Sequence, residues 1–587
     1  MLFKEVAEYY QKLESISSRL EMIDILSEML SKSSSKEIRH LVYMTQGVLS
    51  PPFEGIEIGI ADKFAQHAIS MATGYSKEEV SSLFKHSGDL GIVAEKLTEK
   101  TKLRRMGSGN FNVTGVFERM LKIAGTSGTG SQESKIKMLV ELLVASSPLE
   151  ARYLIRFAIG TLRLGAGDAT ILEALSKMST GERTNKEIFE NAYNICGDLG
   201  RIAEVASESG LNGIKKIGVT LFSPIRPALA ERLSEADDIL KKMDGKCAVE
   251  AKYDGLRAQV HINKKAKHVE IFSRNLERIT EMLPEIRKAA LEEVHADTAI
   301  IEGEAIAYNE ATGEFRPFQE TIQRKRKHGI KEKSEEMPLH LFAFDLMSLN
   351  GEDYLKYPYS KRRETLESIV KKGGTILLSD RIIVTKPKQL EEYFDHAIEE
   401  GLEGIVAKDL NSPYVAGARK FSWIKLKRSY KGELSDTLDL VIVGYFLGRG
   451  TRAEFQFGGL LVATYNEKTD MFETITRIGT GFTEEQMKNF KSLLDKIKTE
   501  KKPARVSSLV TPDFWVQPRY VITVRADEIT RSPMHTCGRT DKDELGYALR
   551  FPRIVSDGVR EDKGPEDSTN TSEVIEMFDL QRKVHLK

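Results

Sequence analysis

The chain has 587 residues and a mass of 66.0 kDa, too long for one hydrophobic core, so about three to four domains are expected. Hydrophobic residues make up 40% and charged residues 30%, which excludes a mostly disordered chain, and no apolar run is long enough to cross a bilayer. Lys+Arg and Asp+Glu both number 87, so a polyanionic partner would have to be held by locally concentrated basic surface rather than by net charge.

The opening MLFKEVAEYYQKLES is an amphipathic helix pattern without a signal-peptide core, and a cytoplasmic protein is expected. Cys196, Cys247 and Cys537 lie far apart with no CxxC pair, which argues against a disulfide framework or a zinc ribbon. From Met1 to about Gly213, apolar residues recur at helical spacing, as in IKMLVELLVASSPLEARYLIRFAIGTLRLG, and an all-helical domain is predicted over 1–213. One of its helices, opening near Pro148, carries Arg152 and Arg156, with Arg163 seven residues further on. That spacing sets three guanidinium groups along one stripe, close to Gly160, Gly165 and Gly167, where a DNA backbone phosphate could approach. A solvated charged face is the alternative. The segment GTSGTGS, Gly125 to Ser131, resembles a phosphate loop but follows a helical pattern and lacks the GK[ST] ending, so it reads as a linker.

Beyond Ile214 the pattern changes to strands, CAVEAKYD, RAQVHI, HVEIFSRN, AIIEGEAIAY, LHLFAFDLMSL and GIVAKD, separated by helices such as LERITEMLPEIRKAALEEV. An α+β domain is predicted over 214–420. After Phe421 come DLVIVGYFLG, GGLLVATYN, FETITRIGT and RYVITVRADEIT with Gly-rich turns, then the helical tail SEVIEMFDLQRK. A small β-barrel of the OB type with a closing helix is predicted over 421–587.

The stretch EAKYDGLRAQVH, Glu250 to His261, sets a lysine at a strand end before a DG turn, with Arg257 returning on the next strand. It resembles the KxDG motif of the covalent nucleotidyltransferases, which comprise DNA ligases, RNA ligases and mRNA capping enzymes. Five further segments resemble that family's motifs in order: SRN at Ser273, EGEAIAY at Glu302, FAFDLM around Phe344, EGIVAK at Glu403 and WIKLK at Trp423. PLEARYLIRFAIGTLRLG, FRPFQ at Phe315 to Gln319, ALRFPRI and REDK at Arg560 to Lys563 narrow the resemblance to the three-domain ATP-dependent DNA ligases of archaea and eukaryotes. An RNA ligase, a capping-type nucleotidyltransferase or an inactive DNA-binding scaffold are the alternatives.

The resemblance implies a helical DNA-binding domain, an adenylation domain and an OB-fold domain. It also implies a reaction in which Lys252 takes AMP from ATP, AMP passes to the 5′-phosphate at a nick in double-stranded DNA, and the 3′-hydroxyl expels AMP. An amine attacks phosphorus only when neutral, and an unperturbed lysine is about 0.1% neutral near pH 7.5. Cations around the nucleophile would disfavour its ammonium form and steady the charge on phosphorus. By the same resemblance Glu250 holds the adenine edge, Phe344 stacks on the purine, and Arg257, Arg274 and Glu304 bind ribose and phosphate. Arg419, Lys425 and Lys427 meet the phosphates, and Glu304 with Glu403 ligate Mg²⁺. The first carboxylate of the third motif is Glu302 where the family usually has Asp, so Glu304 is the preferred ligand. Basic clusters at Arg324–Lys327 and Lys425–Arg428 are expected to meet duplex phosphates. The OB-fold domain is expected to rotate about the segment near Phe421 to Tyr430 between steps. A monomer is expected. A sliding clamp is an implied partner, although the sequence shows no convincing clamp-binding box.

Overall fold

A computed structural model describes residues 1–101, 111–309, 314–315, 338–400, 402–427, 437–448, 456–479, 481–526, 528–541 and 544–585. The cluster Arg324–Lys327, most of FRPFQ and the far end of the expected hinge lie outside these residues.

The helical periodicity before residue 214 is realised as α-helices running from Phe3–Ser15 to Leu199–Ile214 around one apolar core. GTSGTGS connects the helices Val113–Gly125 and Ser131–Val144, as the linker reading expects. The helix Pro148–Ala158 opens on a capping box, Ser147 with Glu150, with proline in its first turn. It stops at Ala158 ahead of Gly160, whose φ is +67°, the left-handed conformation that ends helices. Arg163 therefore lies beyond the helix, and the stripe contains only Arg152 and Arg156.

Nor is that stripe a phosphate-facing surface. Arg156 is 1% exposed; it bonds Asp89 at 2.5 Å and Glu14 at 2.8 Å. Arg152 reaches Glu14 and Glu95, and Arg163 donates to the carbonyls of Gly88, Lys496 and Lys498. Spacing had identified the face, but the carboxylates opposite it come from distant sequence.

The central region is two sheets packed face to face. The first has the order β1 (Leu229–Arg232), β12 (Arg419–Lys427), β11 (Gly404–Lys408), β2 (Cys247–Lys252), β10 (Arg381–Val384), antiparallel apart from β1 with β12. The second runs β4 (His268–Ser273), β3 (Leu256–Asn263), β5 (Thr298–Asn309), β7 (Leu339–Leu349), β8 (Glu352–Asp353), with β6 (Glu314–Phe315) on β5 and β9 (Ile376–Leu378) on β7. Each outer face is apolar and covered by helices. Val249, Ala251, Ile405, Ala407, Ile424 and Leu426 pack on Ala236–Lys242 and Pro387–Glu399. On the second sheet Ala258, Val260, Ile301, Ala305 and Leu341 pack on Pro284–Glu293 and Tyr359–Ile369. With a period of two, the intervening residues take the inner faces; those around Lys252 and Glu304 line the cleft between the sheets, while Gln259 and His261 are covered by the 217–227 connection. β12 continues seven residues past the expected boundary at 420 and pairs along β11.

Past residue 436, β13 (Thr437–Phe446), β14 (Gly459–Asn466) and β15 (Met471–Ile478) form an antiparallel sheet. It is extended by the short strands β16 (Lys498–Thr499), β17 (Val506–Ser507), β18 (Phe514–Val516), β19 (Val521–Arg525) and β22 (Arg553–Ile554). β20 (Glu528–Ser532) and β21 (Gly546–Arg550) form a separate pair. The tail is the helix Thr571–His585, as the sequence predicts. Among the described residues no helix is long and apolar enough to cross a membrane.

The three regions contact one another in a closed cycle. Arg19 of the helical region bonds Asp470 at 2.9 Å, and Asp470 also holds Arg505 at 2.5 Å. Arg505 passes so close to Gly167 that a Cβ there would lie 2.0 Å from the guanidinium. The C-terminal region in turn meets the central one through Glu573, on Arg419 and Lys425, and through Asp567 on Arg274. The Arg226 amide donates to the Asn194 carbonyl at 2.8 Å and joins the central region back to the helical one.

Candidate active site

Across β2, β11 and β12 the register sets three rows of cleft-facing residues: Lys252–Gly404–Lys427, Glu250–Val406–Lys425 and Ala248–Lys408–Trp423. Gly404 is bare for a reason, since a Cβ there would lie 2.2 Å from the Leu426 carbonyl oxygen and its φ is +151°. Next to it, the Glu403 amide donates to the Lys252 carbonyl at 3.1 Å, and the Glu403 carboxylate bridges the ammonium groups of Lys252 and Lys427. The sequence reading sets cations around Lys252 and gives Glu403 to Mg²⁺; the structure sets that carboxylate between two of the lysines. Burial would raise the Glu403 carboxyl, but Lys252 and Lys427 outweigh it and hold it well below the usual range.

From the opposite sheet come Arg257, Glu302, Glu304 and Phe344. Arg257 donates to Glu302 at 2.8 Å and to the Ala228 carbonyl at 2.8 Å. Glu302, 1% exposed, also accepts from the Tyr414 hydroxyl at 2.9 Å. Its extra methylene thus serves a buried link to Arg257. Glu304 faces Lys252, Arg257, Asp254 and Glu403, and burial lifts its carboxyl to about 7. No hydrogen bond or ion pair reaches it among the described residues. A desolvated carboxylate without a donor, beside a second carboxylate, suits a hard divalent cation. Phe344 is half-buried, edge-to-face with Trp423 at 5.9 Å and 5.6 Å from the Arg257 guanidinium.

Glu250 is 2% exposed. Tyr359 and Arg363, the latter at 3.2 Å, reach its Oε1; Lys408 at 2.8 Å and the Ser379 hydroxyl at 3.1 Å reach Oε2. Lys408, Arg363, Tyr359 and Ser379 were missed by the sequence reading. Only Lys408 carried a signal, as the last letter of EGIVAK on the same strand face as Val406.

Arg274 and Arg419 sit apart from this centre. Arg274 reaches Asp567 at 3.4 Å. Arg419 donates to Glu573 at 2.7 Å, and Lys425 to the same carboxylate at 2.9 Å. Burial brings the Lys425 amine down to about 8, against the pull of Glu573. In the REDK segment Arg560 binds Asp562 and Asp439, Lys563 binds Asp439, and the charge of Arg560 is felt at Asp254.

Comparison with known proteins gives the family. The ATP dependent DNA ligase domain matches residues 227–427, the DNA ligase N terminus 2–176, and the ATP dependent DNA ligase C terminal region 453–563. A protein described as a probable DNA ligase from Dictyoglomus turgidum is 46% identical over 99% of this chain and 98% of its own. A DNA ligase from Saccharolobus solfataricus is 43% identical over the same shares. Among solved structures, a mycobacterial DNA ligase D complexed with ATP and MES is 24% identical, covering 59% of this chain and 97% of its own, with a TM-score of 0.33. The chain belongs to the ATP-dependent DNA ligase family. ATP is its co-substrate and DNA its substrate.

Proposed function

We propose that the chain seals nicks in double-stranded DNA, in replication, repair and recombination, through a lysyl-AMP formed on Lys252. The observation that carries this reading is the convergence on Lys252, from facing sheets, of Lys427, Glu403, Asp254 and Glu304. Lys252 attacks the α-phosphate of ATP as pyrophosphate departs; Lys427 and Lys425 neutralise phosphate charge, and Arg257 fixes the ribose side. Phe344 stacks on the purine, and Glu250 with its donors forms the purine edge. Arg274 and Arg419 serve phosphates once Asp567 and Glu573 release them. Glu304 and Glu403 would hold Mg²⁺, which when bound polarises the phosphate oxygens. For this, Glu403 gives up part of its contact with the two lysines.

The domains are read as 1–213, 214–427 and the remainder, the second boundary lying past 420 because β12 belongs to the cleft. The third is a barrel of the OB type that presents Arg560 and Lys563 during charging and swings away for DNA. The chain acts as a monomer in the cytoplasm, with a sliding clamp as its partner.

Purified protein exposed to ATP and Mg²⁺ is expected to gain one AMP by intact mass, mapped by peptide analysis to Lys252. Lys252→Ala should gain none while binding duplex normally. AMP on another lysine, or none on the wild type, refutes the reading.

A further inference from the structure

Lys408 is a buried ammonium boxed by aromatic faces. Its Nζ lies 4.2 Å from the Trp423 ring centre, 4.6 Å from that of Phe344 and 5.1 Å from that of Tyr359. Its polar partners are Oε2 of Glu250 at 2.8 Å and the carbonyl of Phe344 at 3.3 Å. A buried cation is costly, and an apolar side chain would fill such a box more cheaply.

The carboxylate it meets is saturated. A carboxylate offers about four lone-pair positions. On Glu250 Tyr359 and Arg363 take those of Oε1, and Lys408 and Ser379 take those of Oε2. An exocyclic purine amine can reach this carboxylate only if a donor yields. Among the described residues the Tyr359 hydroxyl has no second acceptor. Arg363 is anchored on Ser379 Oγ at 2.7 Å and the Ser379 carbonyl at 2.7 Å. Ser379 is held by that same arginine. Arg363 and Lys408 each have another acceptor within reach, but that of Lys408 belongs to the residue assigned to the purine ring.

Resting on the nucleotide site proposed above, we infer that Lys408 is the exchangeable donor of that site. It yields its place on Glu250 Oε2 to the 6-amino group of the purine, keeping the Phe344 carbonyl and the aromatic box. It takes that place back when a purine lacks the amine. Lys408 is thus a positioning residue that relaxes base selectivity, because it covers the acceptor that an amine-free base would leave unsatisfied.

The test compares ATP with purine riboside triphosphate, which has hydrogen at position 6, as AMP or purine-nucleotide donor to Lys252. The wild type should prefer ATP by no more than about tenfold in kcat/KM. In Lys408→Met the preference should widen by about ten- to a hundredfold, through the KM of the analogue, since leaving a buried acceptor unpaired carries a penalty of that size. Lys408→Arg, which keeps a charged donor, should stay near the wild type. An unchanged or narrowed preference in Lys408→Met overturns the inference. Should that variant fail to fold, Ser379→Ala decides. It frees a lone pair on Oε2, so the KM for ATP should fall several-fold with that of the analogue unchanged, and an unchanged KM for ATP overturns the inference equally. A wild type that labels Lys252 with neither nucleotide refutes the proposed function instead.

Discussion

Arg156 and His261 show how much a single side chain's meaning depends on what faces it. Arg156 is locked between Asp89 and Glu14; Asp89, although burial would raise it, is held well below the ordinary carboxylate range by Arg156 and Arg163. Removing one partner of a buried pair strands the other, so Arg156→Ala should lower unfolding free energy by about 3–5 kcal/mol in urea titrations. Duplex affinity of the folded fraction should change little, and a selective loss of DNA binding would restore the phosphate-contact reading. His261 is fully buried. Its Nδ1 accepts from the Phe222 amide at 3.0 Å and its Nε2 pairs with Gln259 Oε1 at 2.8 Å, so the neutral ring satisfies both and a second proton would oppose an N–H. Burial brings its pKa down to about 3. The unfolded chain therefore binds more protons between about 3 and 6.5, and stability falls as pH falls through that window, by about 2–3 kcal/mol at pH 4.5. Thermal melts at pH 7 and 4.5 should show a larger loss for the wild type than for His261→Gln. The histidine's place on a strand could be read from RAQVHI, but its burial and its partner in the 217–227 connection could not, because nothing local encodes which loop will cover a strand face.

At the scale of elements the sequence was most readable where period and motif coincide. The alternation of CAVEAK, GIVAK and WIKLK gives strands whose odd and even positions divide between helix-facing apolar residues and a polar cleft. That parity already sets Glu250, Lys252, Lys408, Lys425 and Lys427 on one side. Strand order was not legible, nor was the fact that Glu403 and Gly404 fall between two lysines, since antiparallel neighbours 150 residues apart leave no local trace. The row Lys252–Gly404–Lys427 makes its own prediction. Gly404→Ala forces the Leu426 carbonyl to move, at a cost of about 1–3 kcal/mol in stability. Adenylation should suffer more than the melting temperature suggests, because the displaced strand carries Lys425 and Lys427. Initial rates of AMP incorporation set against the fraction folded check this, and parallel losses would show that the row has no special part in the reaction.

Over the whole molecule, the contacts that close the cycle include a buried charged cluster between the helical and C-terminal regions: Arg19 is 13%, Asp470 1% and Arg505 7% exposed. Salt screens such pairs far less than exposed ones. Small-angle scattering should therefore show a radius of gyration almost unchanged between low and moderate salt. Glu573→Gln with Asp470→Asn should raise it, and equal radii in both forms would mean that other contacts hold the regions together.

That closed cycle also bears on how fast substrate can be captured. If the nick is gripped between the helical and C-terminal regions, Asp470 must let go of Arg19 and Arg505 before a duplex enters, and admission then awaits a spontaneous parting. Such parting is unimolecular. In stopped-flow mixing the observed association rate should climb with nick concentration and then level off at the frequency with which the protein unlatches, and the double variant above should lift that ceiling.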